Sequence, residues 1–158
     1  MIDLAIESPD QPEIHALLEA SDTYMAELYP AESNHMLDVS ELCRPEVTFL
    51  VARVEGRAMG CGAIVESAEG WAEIKRMFVS PLARGRSLGR RLLQKLEETA
   101  ISKGIPLLRL ETGIKQPEAL ALYRSAGFVE IEPFGKYRPD PLSLFMEKPL
   151  RPRKAPAA

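Results

Sequence analysis

Apolar and polar residues alternate over residues 2–7 (IDLAIE), a period of two that predicts a strand with one buried face. From Pro12 the period lengthens. Ile14, Leu17, Leu18, Tyr24, Met25 and Leu28 make an apolar stripe at helical spacing, which the segment YPAESNH (29–35) breaks. A short helix is expected around Leu37 to Leu42. Residues 47–54 (VTFLVARV) and 58–65 (AMGCGAIV) read as two strands joined by a turn at Glu55-Gly56, and a third strand, 71–79 (WAEIKRMFV), ends at Ser80-Pro81. An amphipathic helix follows from about 87 to 103, with Leu88, Leu92, Leu96 and Ile101 near one face and Lys103-Gly104 as its stop. Residues 107–112 (LLRLET) are a short apolar strand of the buried type. Pro117 and Gly127 bracket a helix over about 117–126, and strands at 128–132 and 142–148 complete the pattern.

The order β-α-(α)-β-β-β-α-β-α-β-β predicts an α/β fold: a mixed, mainly antiparallel sheet flanked by helices, with one β-α-β crossover. A length of 158 residues suits one domain, expected over 1–150, with RPRKAPAA (151–158) as a disordered tail. No apolar run reaches the roughly 18 residues of a membrane span, and the first residues lack a basic-then-apolar leader. A cytoplasmic protein with no membrane partner is therefore expected. Cys43 and Cys61 read as buried small residues, and two cysteines with two histidines leave no expectation of a metal.

The formal charge of −3 conceals a division. Up to Cys43 the chain has ten Asp or Glu and no Lys or Arg, whereas all 20 basic residues lie beyond it. Six of those fall between Lys75 and Arg91, around a strand-to-helix junction with glycines at 85 and 89. Unpaired N–H groups of a first helical turn, glycines that admit close approach and arginines together make a phosphate grip. The same run reads equally as a solvated basic loop. With the arginines confined to one loop and few aromatics interleaved, a nucleic-acid partner is not expected.

The run Arg84-Gly85-Arg86-Ser87-Leu88-Gly89 resembles motif A of the GNAT acetyltransferase superfamily, Gln/Arg-x-x-Gly-x-Gly/Ala. LLRLET (107–112) and ALALYRSAGF (119–128) continue the resemblance, which spans about residues 47–132. It implies a GNAT-like sheet with the crossover at the cofactor site. It also implies transfer of an acetyl group from acetyl-CoA to a primary amine by direct attack in a ternary complex, and commonly a homodimer. Arg84 to Arg90 (Arg84, Gly85, Arg86, Ser87, Leu88, Gly89, Arg90) would hold the pyrophosphate, and the backbone of Met77, Phe78 and Val79 the pantetheine arm. Gln116 stands where relatives often place a cofactor-contacting asparagine. Ser87 departs from the glycine usual there, which bears on acetyl-CoA affinity; its hydroxyl is a candidate donor to the phosphate or a candidate helix cap.

The resemblance makes Tyr123 the candidate general acid for the leaving thiolate and Glu73 the candidate base for the amine. Tyr123 also reads as a core residue of its helix, and Glu73 as half of a salt bridge with Lys75. Strand alternation puts Glu73, Lys75, Met77 and Val79 on one face and Ile74, Arg76 and Phe78 on the other. Tyr29, His35, Arg76 and Glu111 are candidate acceptor contacts. Glu111 reads equally as an ion-pair partner of Arg76 or Arg109, and Trp71 as a packing residue. The acidic N-terminal segment favours a cationic acceptor, whereas Arg76 or Arg138 would favour a carboxylate. A small-molecule amine is the expected acceptor; a protein amine, or a non-catalytic CoA-binding module, are the alternatives.

Overall fold

The alternating runs become seven strands: β1 (Ile2–Ile6), β2 (Val47–Val54), β3 (Arg57–Glu66), β4 (Ala72–Val79), β5 (Leu107–Gly113), β6 (Val129–Ile131) and β7 (Ser143–Pro149). The computed structural model describes residues 1–33 and 36–150, so the expected tail at 151–158 and the candidate His35 lie outside the described residues. The strands form one sheet in the order β1-β2-β3-β4-β5-β7-β6. Every neighbouring pair is antiparallel except β4 and β5, which are parallel. Their crossover is the helix α3 (Leu88–Ser102), and the other helices are α1 (Pro12–Leu28), α2 (Val39–Leu42) and α4 (Pro117–Ser125).

Proline opens both α1 and α4, where its fixed φ and missing N–H suit the first turn. Asp38 and Glu41 close a capping box on α2. Leu88, Leu92, Leu93 and Leu96 bury one stripe of α3 against Leu50, Ile64, Ile74, Leu108 and Leu110 of the sheet, and α4 adds Tyr123 to the same layer. On the opposite face Ile14, Leu17 and Leu18 of α1 and Leu42 of α2 pack on Phe49, Val51, Cys61 and Ala63. Truncating a leucine such as Leu92 to alanine would cost about 2–5 kcal/mol.

Two expectations are corrected here. Cys43, at the end of α2, is exposed, whereas Cys61 is buried, with its thiol pushed up to about 12 by burial. The second correction concerns β4. Its register with β3 runs from Ala63↔Lys75 to Cys61↔Phe78, two residues against three, and Arg76 takes a left-handed φ of 58°. This bulge exchanges the faces of everything after it. Met77 and Val79 share the α3 layer with Ile74, and Phe78 turns to the α1 layer. Glu73 and Lys75 do not share a face with Met77 and Val79.

Candidate active site

Ladder pairing between β4 and β5 runs only from Ala72↔Leu108 to Ile74↔Leu110. Past Ile74 the strands part, leaving one edge of residues 77–79 without a strand neighbour. A cavity of about 640 Å³ opens there, lined by Met77, Phe78 and Val79, by Arg84, Gly85, Ser87, Leu88 and Gly89, and by Gln116, Ala119, Leu122 and Tyr123. A Cβ on Gly89 would stand 3.3 Å from a Leu122 methyl, so this glycine sets how closely α3 and α4 approach beside the cavity.

The loop before α3 differs in three respects from the expected grip. Ser87 makes no side-chain cap and holds φ at 55°, a left-handed value that a Cβ disfavours. Arg86 lines a separate concavity with Val54, Glu55 and Arg57, because the turn at Gly85 carries it to the other side of the loop. Arg90 lies outside the cavity on the exposed side of α3, where it donates to Ser125 Oγ at 3.3 Å. Of the loop's arginine side chains, Arg84 is the one that lines the 640 Å³ cavity.

A smaller cavity of about 100 Å³ shares Met77, Gln116, Ala119 and Tyr123 with the first, and adds Glu73, Lys75, Arg76, Glu111 and Tyr137. Tyr123 packs edge-on against Phe128, with ring centroids 5.8 Å apart. Burial, and then the Glu111 carboxylate, push its hydroxyl well above the usual tyrosine range. It is therefore protonated at neutral pH. Glu73 accepts a hydrogen bond from Tyr137 Oη, and Lys75 Nζ stands 3.4 Å from Glu73 Oε2. Lys75 also donates to Tyr137 Oη. Burial and the neighbouring Glu73 charge keep the Tyr137 phenol protonated as well.

Glu73, Lys75 and Tyr137 also line a third, outer cavity of about 880 Å³, whose walls include Trp71, Phe134, Lys136 and Arg138. The three cavities thus form a series through the opening in the sheet, with Tyr123 at the first junction and Glu73 at the second. Trp71 packs edge-on to Phe134 at 5.4 Å, with the Arg109 guanidinium over its ring. No sequence pattern marks Tyr137, because its loop has no apolar period and its partners lie on a distant strand.

Other candidates have structural partners. Tyr29 is buried and lines none of the three cavities. Its hydroxyl accepts from Lys115 N at 3.1 Å and donates to Gln116 Oε1 at 3.2 Å, which anchors the turn into α4. Gly113 makes room for that ring, since a Cβ there would overlap it. Arg76 lines the small cavity but is buried, donating to Asp22 Oδ1 at 2.6 Å and to Leu18 O at 3.2 Å. Its Nε is buried with no hydrogen-bond partner among the described residues. Arg109 pairs with Glu147 at 3.1 Å. Glu111 lines the small cavity beside Tyr123. The acidic segment is partly neutralised, with Glu7 and Glu13 on Arg53 and Asp22 on Arg76.

A parallel pair of strands thus opens at a bulge, with the N-terminus of α3 lining the cavity there. Residues 13–128 match the model of the acetyltransferase (GNAT) family, and the chain belongs to that family. It is 53% identical over 150 residues to the IAA acetyltransferase of Azospirillum brasilense, covering 94% of this chain and 98% of that protein. A solved Klebsiella pneumoniae structure described as an acyl-CoA N-acyltransferase is 41% identical, with a TM-score of 0.81 over 96% of this chain and 99% of that one. PaiA N-acetyltransferase from Thermoplasma acidophilum, solved in complex with coenzyme A, shares the fold at 20% identity and a TM-score of 0.72, over 94% of this chain and 99% of that one. The chain is accordingly an acyltransferase enzyme with a seven-stranded, mostly antiparallel open sheet and flanking helices.

Proposed function

We propose that this chain transfers the acetyl group of acetyl-CoA to a primary amine of a small molecule, by direct attack while both are bound. The observation that carries this reading is the series of three cavities, with a protonated tyrosine at one junction and a carboxylate at the other.

The cavity of about 640 Å³, beside the N-terminus of α3, fits the donor. Because Ser87 supplies no side-chain cap, the first N–H groups of α3 are left for an anion, with Arg84 beside them. The edge of Met77, Phe78 and Val79 that faces the opening offers backbone groups to an extended amide-bearing arm. Gln116 lines the same cavity, with its Oε1 engaged by Tyr29. Bound acetyl-CoA supplies an activated thioester acyl group at this site. Tyr123 donates its hydroxyl proton toward the departing thiolate, and Glu73 accepts the proton that the amine loses on attack. Holding both groups around so small a space aligns the two proton movements. The donor would enter by the first cavity and the acceptor by the outer one.

Thermal-shift screening against CoA esters, then thiol release with a panel of amines and with IAA, tests this. A rise in Tm with acetyl-CoA and thiol release dependent on an amine are expected. A non-catalytic CoA-binding module is the second reading, drawn from the strained Ser87. It gives the same Tm rise with no thiol release from any acceptor.

A further inference from the structure

The charge of the acceptor can be argued from which groups around the outer cavity are already engaged. The small cavity, about 100 Å³, holds only a few atoms, given about 30 Å³ for one water. An acceptor whose amine reaches Glu73 must keep its body in the outer cavity of about 880 Å³. Three acids of that outer wall are taken up by protein donors. Asp140 accepts from Ser33 Oγ and from Leu142 N, each at 2.8 Å. Glu69 accepts from Trp71 Nε1 at 3.4 Å, and Glu73 from Tyr137.

Of the three cations of that wall, Lys75 is engaged by Glu73 and Tyr137, and the other two are not held. Lys136 and Arg138 line the same wall and are exposed, and neither forms a hydrogen bond or ion pair among the described residues. Against these two stands Glu32, the one acid of the wall without such a partner among the described residues. Of the four acids of α1, Glu13 is held by Arg53 and Asp22 by Arg76, and neither they nor Glu19 and Glu27 line the cavity. Arg76 is committed in turn and has no forked face to offer. The uncommitted charge at the acceptor's body is therefore positive.

We propose that the acceptor is a primary amine that also carries a carboxylate, with Arg138 and Lys136 as the specificity-determining pair. This rests on the acetyl-transfer reading above. Arg138 presents a planar fork that matches a carboxylate, Lys136 adds a point charge, and Trp71 flanks the body of the molecule. The amine end meets Glu73, so the two ends of the acceptor face opposite charges. That arrangement fixes its direction in the cavity.

Matched pairs that differ only in the carboxylate test it: phenylalanine with phenethylamine, and lysine with cadaverine, with spermidine as a purely cationic probe. At saturating acetyl-CoA, thiol release should give the carboxylated member of a pair about tenfold or more higher kcat/KM, through KM, the worth of one charge-assisted contact. In Arg138→Gln and Lys136→Gln that ratio should fall toward one. A wild-type ratio at or below one, a preference for spermidine, or a ratio unchanged in both variants overturns the proposal. If no probe releases thiol although acetyl-CoA raises the Tm, the acetyl-transfer reading fails instead. The pairs are then read by Tm. A shift by the carboxylated members alone that is lost in Arg138→Gln supports the anionic site, and any other pattern overturns it.

Discussion

Tyr137 Oη donates a hydrogen bond to Glu73 across 64 residues of sequence, and accepts one from Lys75. The ring of Tyr137 is held in place by Phe134 at 5.1 Å and Phe145 at 5.3 Å, so the loop that carries it is packed onto the sheet by aromatic edges. The phenol thereby fixes the carboxylate at the junction of the small and outer cavities. Lys75, Arg76 and Glu111 are the other charged groups lining the small cavity, Arg76 being paired with Asp22.

Tyr137→Phe removes one donor to the Glu73 carboxylate and keeps the ring. Loss of that donor favours the protonated carboxyl, so the acidic limb of kcat/KM should move to higher pH. Stability should fall by only about 1 kcal/mol, as for one hydrogen bond. A pH–rate profile checks the shift. A uniform loss of rate with the limb in place would mean that Tyr137 serves packing alone.

Tyr123→Phe leaves the edge contact with Phe128 intact and removes the hydroxyl proposed to protonate the leaving thiolate. Turnover should fall by about a hundredfold while the Kd for acetyl-CoA changes little. Steady-state kinetics with a calorimetric titration separate the two quantities. Full turnover in this variant would return Tyr123 to the core.

Ser87→Gly removes a Cβ from a left-handed backbone position lining the cavity of about 640 Å³. Relief of that strain should raise unfolding stability by up to about 1 kcal/mol, and acetyl-CoA should bind more tightly. Denaturant midpoints and calorimetry report the two effects. Weaker acetyl-CoA binding by the glycine variant would show that the serine hydroxyl itself contacts the donor.

Arg53 holds the Glu7 carboxyl below its ordinary value of 4.5, chiefly by a hydrogen bond. A depressed native pKa contributes stability above the unfolded value and loses it as pH falls through the native one. Glu7→Gln should therefore lower the Tm near neutral pH and flatten its fall below about pH 4.5. Parallel Tm–pH curves for the two proteins would contradict this.

Strand and helix positions were legible in the sequence because period two and period 3.6 differ plainly in runs such as 47–54 and 88–102. The crossover and its glycine-bearing loop followed from the same patterns. The bulge at Arg76 was not legible, since no glycine marks it and one inserted residue leaves the local composition unchanged. Its effect reached the site, because the face assigned to Met77 and Val79 depends on it. The engagements of Arg76 with α1 and of the Tyr29 hydroxyl with the turn into α4 join residues more than 50 positions apart, which no local pattern records. Tyr137 lies in a loop rich in proline and glycine, where no periodicity operates, and its contact with β4 exists only once β7 lies beside β5.

The most direct test incubates the purified chain with acetyl-CoA, with and without an amine acceptor, and follows both free thiol and the intact mass of protein and acceptor. Direct transfer gives one acetylated acceptor per thiol released, no acetylated protein in the absence of acceptor, and loss of the signal in Tyr123→Phe. An acetylated chain formed from acetyl-CoA alone and consumed when amine is added would contradict the account.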